Sequence, residues 1–182
     1  MLRVIAGKHK GLVLNNFELN NVRPTVDRVK EAVFSKIQFD VPNAVVLDLF
    51  AGTGNYGIEA LSRGAKEVIF ADANKNSVNL INKNLKKCGE KCEVLNFPYE
   101  KTLQILNERG CKFDIIFLDP PFEKGFGELA IKQIENRGLL SENGVIVYEH
   151  AVSEHEDWKF EKVNEFDLKK YGTIYVSYFT LN

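Results

Sequence analysis

An α/β fold organised around a mainly parallel sheet is predicted, and three observations predict it. From Val45 onward, short apolar runs alternate with amphipathic segments, the pattern of strands joined by crossover helices. The run Val45-Val46-Leu47-Asp48 carries almost no polar residue, as expected of a strand covered on both faces. It leads into Leu49-Phe50-Ala51-Gly52-Thr53-Gly54-Asn55, where two glycines let the backbone turn sharply at the mouth of a helix. Five such strands followed by two in the tail give a seven-stranded, mostly parallel sheet with an antiparallel C-terminal end.

The elements follow in order. Leu2 to Ala6 and Gly11 to Leu14 are short strand-like runs, and Gly7-Lys8-His9-Lys10-Gly11 between them is suited to a hairpin turn. Asn15 to Val22 is polar and predicts a loop. Thr25 is placed to cap a helix whose apolar face is Val26, Val29, Val33 and Ile37, ending before Pro42. After the first strand, Tyr56, Ile58, Ala60 and Leu61 mark a helix. Residues 66–72 form the second strand, and Asn74 caps a helix reaching about Lys87. Cys92 to Phe97 is the third strand, Glu100 to Arg109 a helix, and Phe113 to Leu118 the fourth strand. Phe126 to Asn136 is a helix and Gly144 to Tyr148 the fifth strand. Trp158 to Val163 and Thr173 to Thr180, joined around Lys170-Tyr171-Gly172, predict the antiparallel pair at the sheet edge.

Composition bounds the function. The chain has 182 residues, enough for one domain with a small extension. Its net charge of -1 excludes a global basic field, but charge is uneven. Residues 1–40 hold seven Lys/Arg against four acids, leaving that segment at +3 and the remainder at -4. Charge alone leaves two readings of that segment, a solvated mixed surface and a local basic patch, the latter holding Arg3, Lys8, His9, Lys10, Arg23 and Arg28. Three cysteines, Cys88, Cys92 and Cys111, lack further ligands nearby, so no metal site is expected and reduced thiols are the plain reading. The N-terminus lacks the apolar stretch of a secretory signal, and no apolar run is long enough for a membrane span. A cytoplasmic location is the expectation.

Two strand ends carry the chemistry. Asp48 beside a glycine turn suits a ligand with an ammonium group better than a pyrophosphate, and Phe50 stands where dinucleotide-binding turns begin with glycine. Asp72, 24 residues on (72 - 48), closes the second strand, where a carboxylate accepts both hydroxyls of a ribose. Asp119-Pro120-Pro121-Phe122 closes the fourth strand. Its prolines fix the backbone and remove two donors, leaving the Asp119 carboxylate and the Pro120 carbonyl as rigid acceptors beside the flat face of Phe122. That set fits a planar base carrying an exocyclic amine.

The glycine turn resembles motif I of class I methyltransferases, and Asp119-Pro120-Pro121-Phe122 resembles motif IV of those that act on amines. Further residues narrow the resemblance to RsmD-type 16S rRNA guanine-N2 methyltransferases: Arg23-Pro24-Thr25-Val26-Asp27-Arg28, the run Gly57 to Ala65, Arg3 to Gly7, Lys10-Gly11 and Tyr171-Gly172. The likeness covers nearly the whole chain. It implies a Rossmann-like domain over residues 23–182, an RNA-binding β-hairpin extension over 1–22, and S-adenosylmethionine as cofactor. Carried over residue by residue, it assigns Asp48, Gly52 and Gly54 to the methionine end of the cofactor, Phe50 and Ala51 to cofactor contact, and Thr25, with Arg23 and Pro24, to the methionine end or the target. Asp72 and Ala73 fall at the ribose, Asn96 and Phe97 beside the adenine, and Asp119 to Phe122 at the target amine. Pro98 stands where the family often has a polar residue against the adenine.

The expected partner is 16S rRNA within a partly or fully assembled small ribosomal subunit, since the chain lacks the charge to hold naked RNA tightly. An adenine-N6 DNA or RNA methyltransferase is the alternative, because four residues at a strand end do not separate the two amines. A cofactor-binding assembly factor without turnover and a NAD-dependent enzyme fit the motifs less well.

Overall fold

The computed structural model describes residues 2–17, 24–122, 124–156 and 158–182, with the side chains of residues 24–26 outside the description. Thus Arg23, the loop over 18–22 and the Thr25 side chain lie outside the described residues. The chain runs α1 (Pro24–Lys36), β1 (Val45–Leu49), α2 (Asn55–Ser62), β2 (Glu67–Ala71), α3 (Lys75–Cys88), β3 (Glu93–Leu95), α4 (Tyr99–Glu108), β4 (Phe113–Leu118), α5 (Phe126–Arg137), β5 (Leu140–Ala151), β6 (Val163–Tyr171) and β7 (Ile174–Leu181). These strands form a seven-stranded sheet in the order β3-β2-β1-β4-β5-β7-β6. The first five are parallel; β7 pairs antiparallel with both β5 and β6. Among the described residues no helix is long and apolar enough to cross a membrane.

Alternation along each strand explains the apolar runs. Val46, Phe70, Ile115 and Val147 face one buried cluster with Val33, Phe34 and Ile58. Leu47, Ile69, Ile116 and Ile146 face a second, with Leu103, Leu106, Ile131 and Ile134. Side chains alternate across a strand, so a sheet covered on both faces needs apolar residues at every position. Gly57 lets α2 approach: a Cβ there would stand 2.2 Å from the Phe70 ring. Asn74 caps α3 by accepting from the Asn76 N–H at 2.8 Å. Helix α1 begins at Pro24, so Thr25 lies within its first turn instead of capping it.

An expectation near the C-terminal end of the chain is revised. The predicted strand over Trp158–Val163 is absent; β6 starts at Val163, where that run ends. Trp158 and Phe160 instead pack singly, their rings 5.5 Å from Tyr148 and Phe179 respectively. The true edge strand is polar because it has one neighbour and a solvent-facing side. At the N-terminus, Arg3 pairs with Val13 through one antiparallel bridge, extended by bonds from Val4 N–H to the Leu12 carbonyl and from Leu14 N–H to the Leu2 carbonyl.

That hairpin is welded to the helical layer. Leu2, Val4 and Leu14 join the first apolar cluster. Glu59 on α2 accepts from the Ile5 and Ala6 N–H groups at 2.8 and 3.0 Å and from Arg63 Nε at 2.8 Å. Lys30 on α1, wholly buried, donates to the Arg3 carbonyl at 2.7 Å and to Asn55 Oδ1 at 2.6 Å. Its Nζ lies 3.2 Å from Glu59 Oε2. Gly7 lies so close to α2 that a Cβ would overlap the Ser62 carbonyl.

Candidate active site

Parallel strands leave their C-terminal ends at one edge, and the cleft opens there, on either side of β1 where the strand order reverses. It encloses about 950 Å³ and is lined by Asp48 to Thr53, Asp72 to Asn74, Phe97 to Glu100 and Asp119 to Phe122. Gly52 and Asp119 therefore border the same space. Leu2, Asn16 and Phe17 of the N-terminal segment form a further wall.

Asp48 lies on the same strand face as Val46, turned toward α2, and is buried. Its Oδ2 accepts from the Gly57 N–H at 2.9 Å. Burial pushes its carboxyl up to about 7, helped by Asp72, although the Gly57 bond opposes the shift. A group so placed gains from a nearby cation. Phe50 adopts φ of 101°, a left-handed conformation that favours glycine. The turn thus makes its usual backbone demand while the side chain is retained as wall, 5.5 Å from the Tyr99 ring. Gly52 and Gly54 also have positive φ, 55° and 79°. Gly54 caps α2 and bonds to the Ala51 carbonyl at 2.7 Å; it does not line the cleft.

Asp72 is held by two backbone donors, Gly52 N–H on Oδ2 at 2.9 Å and Asn74 N–H on Oδ1 at 2.7 Å. Each oxygen keeps a second lone pair. Ala73 and Phe97 line the cleft, and Phe97 is half exposed. Asn96 does not line it: its Nδ2 donates to the Asp72 and Ala73 carbonyls at 2.9 and 3.1 Å, fixing the loop that carries Asp72.

Asp119 and Phe122 are exposed toward the cleft, with Phe122 40% accessible, while Pro120 is buried. Enclosure by the cleft walls, then the like charges of Glu149 and Asp48, push the Asp119 carboxyl well above the usual carboxylate range. Water still reaches it in the open cleft, so the shift has full force once a ligand displaces that water. Glu149 was not foreseen. Leu118 pairs with Tyr148 in parallel register, so Asp119 and Glu149 leave adjacent strands side by side. Burial raises Glu149 as well, against the bond it accepts from the Tyr56 hydroxyl at 2.9 Å. Tyr56 itself, buried and facing two carboxyls, is held firmly protonated.

Of the predicted RNA face, Arg3, Lys10 and Arg28 are exposed. Lys8 Nζ and His9 Nε2 both lie 2.6 Å from Glu90 Oε1, so these two side chains share one partner on the surface. No sequence signal pointed to Glu90.

A doubly covered, mostly parallel sheet ending in two antiparallel strands, with a glycine turn and an Asp-Pro-Pro-Phe corner at one edge, defines a Rossmann-like methyltransferase fold. Comparison with known proteins agrees. The chain belongs to the family described as conserved hypothetical protein 95, matched over residues 2–180, which includes the RsmD-type class I methyltransferases. It is 39% identical over 153 residues to ribosomal RNA small subunit methyltransferase D of Haemophilus influenzae, covering 81% of this chain and 78% of that one. It is 37% identical over 151 residues, 82% of each chain, to YlbH of Bacillus subtilis, a candidate rRNA methyltransferase. Among solved structures, the candidate methyltransferase yhhF of Escherichia coli superposes with a TM-score of 0.87, at 26% identity, over 100% of this chain and 98% of that one.

Proposed function

We propose that this protein transfers a methyl group from S-adenosylmethionine to the exocyclic N2 amine of a guanine in 16S rRNA, within a partly or fully assembled small ribosomal subunit in the cytoplasm. The observation that carries the reading is the Asp119–Phe122 corner, which borders the same cleft as the glycine turn. Support also comes from the names carried by its relatives.

The cleft suits the cofactor on its own chemistry. Asp48 is a buried carboxyl held near neutrality and in want of a cation, such as the ammonium of a methionine moiety. Asp72 has lone pairs free for ribose hydroxyls. Phe97 supplies a flat wall, and Glu100, which also lines the cleft, is an acceptor for an adenine amine. When bound, S-adenosylmethionine supplies a methyl already activated by a sulfonium. The protein's task is then orientation, which is worth ~7–11 kcal/mol in favourable cases. Asp119 and the Pro120 carbonyl accept the two amine hydrogens and turn the nitrogen lone pair toward the methyl, while Phe122 stacks on the base. As the C–N bond forms and the C–S bond breaks, positive charge grows on the nitrogen, and the same acceptors stabilise it. The proton leaves afterwards to water.

Arg3, Lys8, His9, Lys10, Arg23 and Arg28 are assigned to RNA contact, with Thr25 near the cofactor's methionine end. The test is transfer of labelled methyl to small subunits from cells lacking this protein, followed by mass spectrometry of the nucleosides. N2-methylguanosine is expected. N6-methyladenosine would establish the adenine-N6 alternative, and no labelled nucleoside would overturn both.

A further inference from the structure

We infer that Glu149 selects the base. It accepts the N1–H of the target guanine beside the amine held by Asp119, and so excludes adenine. This rests on the guanine-N2 reading above.

Three observations place it. Glu149 lines the cleft. The β4–β5 register sets it next to Asp119, and of the two ring nitrogens that flank an amine held at Asp119, only N1–H gives Glu149 a donor. The hydroxyl of Tyr56 is already committed to Glu149 Oε2. That last bond is decisive for specificity. Tyr56 is the donor beside Glu149, and by pointing at the carboxylate it leaves an acceptor facing the ring edge. With both carboxyls ionised, Asp119, the Pro120 carbonyl and Glu149 together form a floor of acceptors.

Guanine offers donors to such a floor: the N2 amine and, next to it, N1–H. Adenine also offers an amine, but its adjacent N1 is an acceptor. Its lone pair would face a carboxylate with no hydrogen between them. Sites built to pair with a specific donor reject analogues lacking it strongly, because the buried acceptor is left without a partner. The Tyr56 bond also fixes the carboxylate, since its ring packs 5.0 Å from Phe117 and 6.1 Å from Phe34.

The test compares small subunits reconstituted with guanine or 2-aminopurine at the methylated position. 2-Aminopurine keeps the amine but has a lone pair at N1. Wild-type protein is expected to methylate 2-aminopurine at least ~100-fold less efficiently than guanine. Glu149→Gln, whose amide offers a hydrogen to that lone pair, should lose kcat/KM on guanine by about the same factor and gain on 2-aminopurine, with cofactor affinity unchanged. A Glu149→Gln protein with the wild-type preference, or one that falls equally on both bases, overturns the inference. If that variant does not fold, equal wild-type rates on the two bases overturn it. Wild-type protein that methylates no guanine at all would instead overturn the reading on which it rests.

Discussion

Two regions of this molecule crowd charged side chains together, and they treat them in opposite ways. Under the N-terminal hairpin, Glu59 meets Lys30, Arg63 and two backbone N–H groups, so its lone pairs are filled and its charge is matched. At the strand ends, Asp48, Asp119 and Glu149 come together with one backbone donor and one tyrosine hydroxyl between them, and their carboxyls are pushed upward. No cation among their described hydrogen-bond partners relieves them. The first region is complete as it stands and holds the hairpin to α1 and α2. The second is complete only with donors and positive charge from elsewhere. Crowded charge by itself thus says little about function; whether its partners come from the chain separates a clamp from a binding site.

The contrast is sharpest for stability. Lys30→Met keeps the bulk but leaves Glu59 with Arg63 as its remaining cation, and loses the bonds to the Arg3 carbonyl and Asn55. It should destabilise the fold by about 3–5 kcal/mol in denaturant titrations, the usual result of removing one partner from a buried pair. Asp119→Asn should do the reverse. It removes a like charge beside Glu149, so the melting temperature should hold or rise, while kcat should fall by about 10²–10³ as a stabiliser of developing charge is lost. Cofactor binding, measured by calorimetry, should stay near wild type. Equal stability losses in the two variants would erase the distinction between the regions.

A smaller effect tests Asp48. Its folded pKa of about 7 exceeds the ordinary value of 3.8, so between those pH values the folded chain keeps a proton that the unfolded chain has released. Stability therefore falls as pH rises through that window, by up to ~1.4 kcal/mol per pH unit from this group alone. Asp48→Asn should flatten the slope in thermal melts. An ammonium-bearing ligand favours the ionised form, so cofactor affinity should climb from pH 6 to pH 8, by no more than about tenfold per unit. Affinity independent of pH would separate Asp48 from the ligand's cation.

The sheet was legible in the sequence wherever burial on both faces forces uninterrupted apolar runs, as in Phe113 to Leu118, where prediction and structure coincide. It was not legible at β6, where one solvated side admits Asn164, Glu165 and Lys169, while Trp158 and Phe160 imitate a strand by packing one at a time. Asp48, Asp72 and Asp119 stood out because each interrupts or ends an apolar run, followed in turn by a glycine turn, a helix-capping asparagine and two prolines. Glu149 lies inside a strand that continues to Ala151, with no turn residue to mark it. A signal existed nonetheless: Asp72, Asn96 and Asp119 directly follow β2, β3 and β4, and Glu149 occupies the equivalent place by register with β4. Lys30 and Glu59 read as ordinary helix-surface charges, because the hairpin that buries them comes from elsewhere in the chain.

The smallest effect lies at the surface. Burial raises the Glu90 carboxyl, but the bonds from Lys8 and His9 outweigh it and leave the group below its ordinary value of 4.5. Stability from this site is therefore present above about pH 4.5 and is lost as pH falls through the lower folded value. The pairs are partly exposed, with Lys8 56% accessible, so Glu90→Gln should cost at most ~1 kcal/mol. Its consequence for RNA should be favourable. Removing the carboxylate frees Lys8 for a phosphate, so affinity for the small subunit should rise at low salt and the salt slope should steepen by about 1. Lys10→Ala, which removes an exposed cation at the same hairpin tip, should lower that slope by a similar amount. Slopes unmoved by both changes would take the hairpin tip out of the RNA face, and the clamp beneath it would then serve the fold alone.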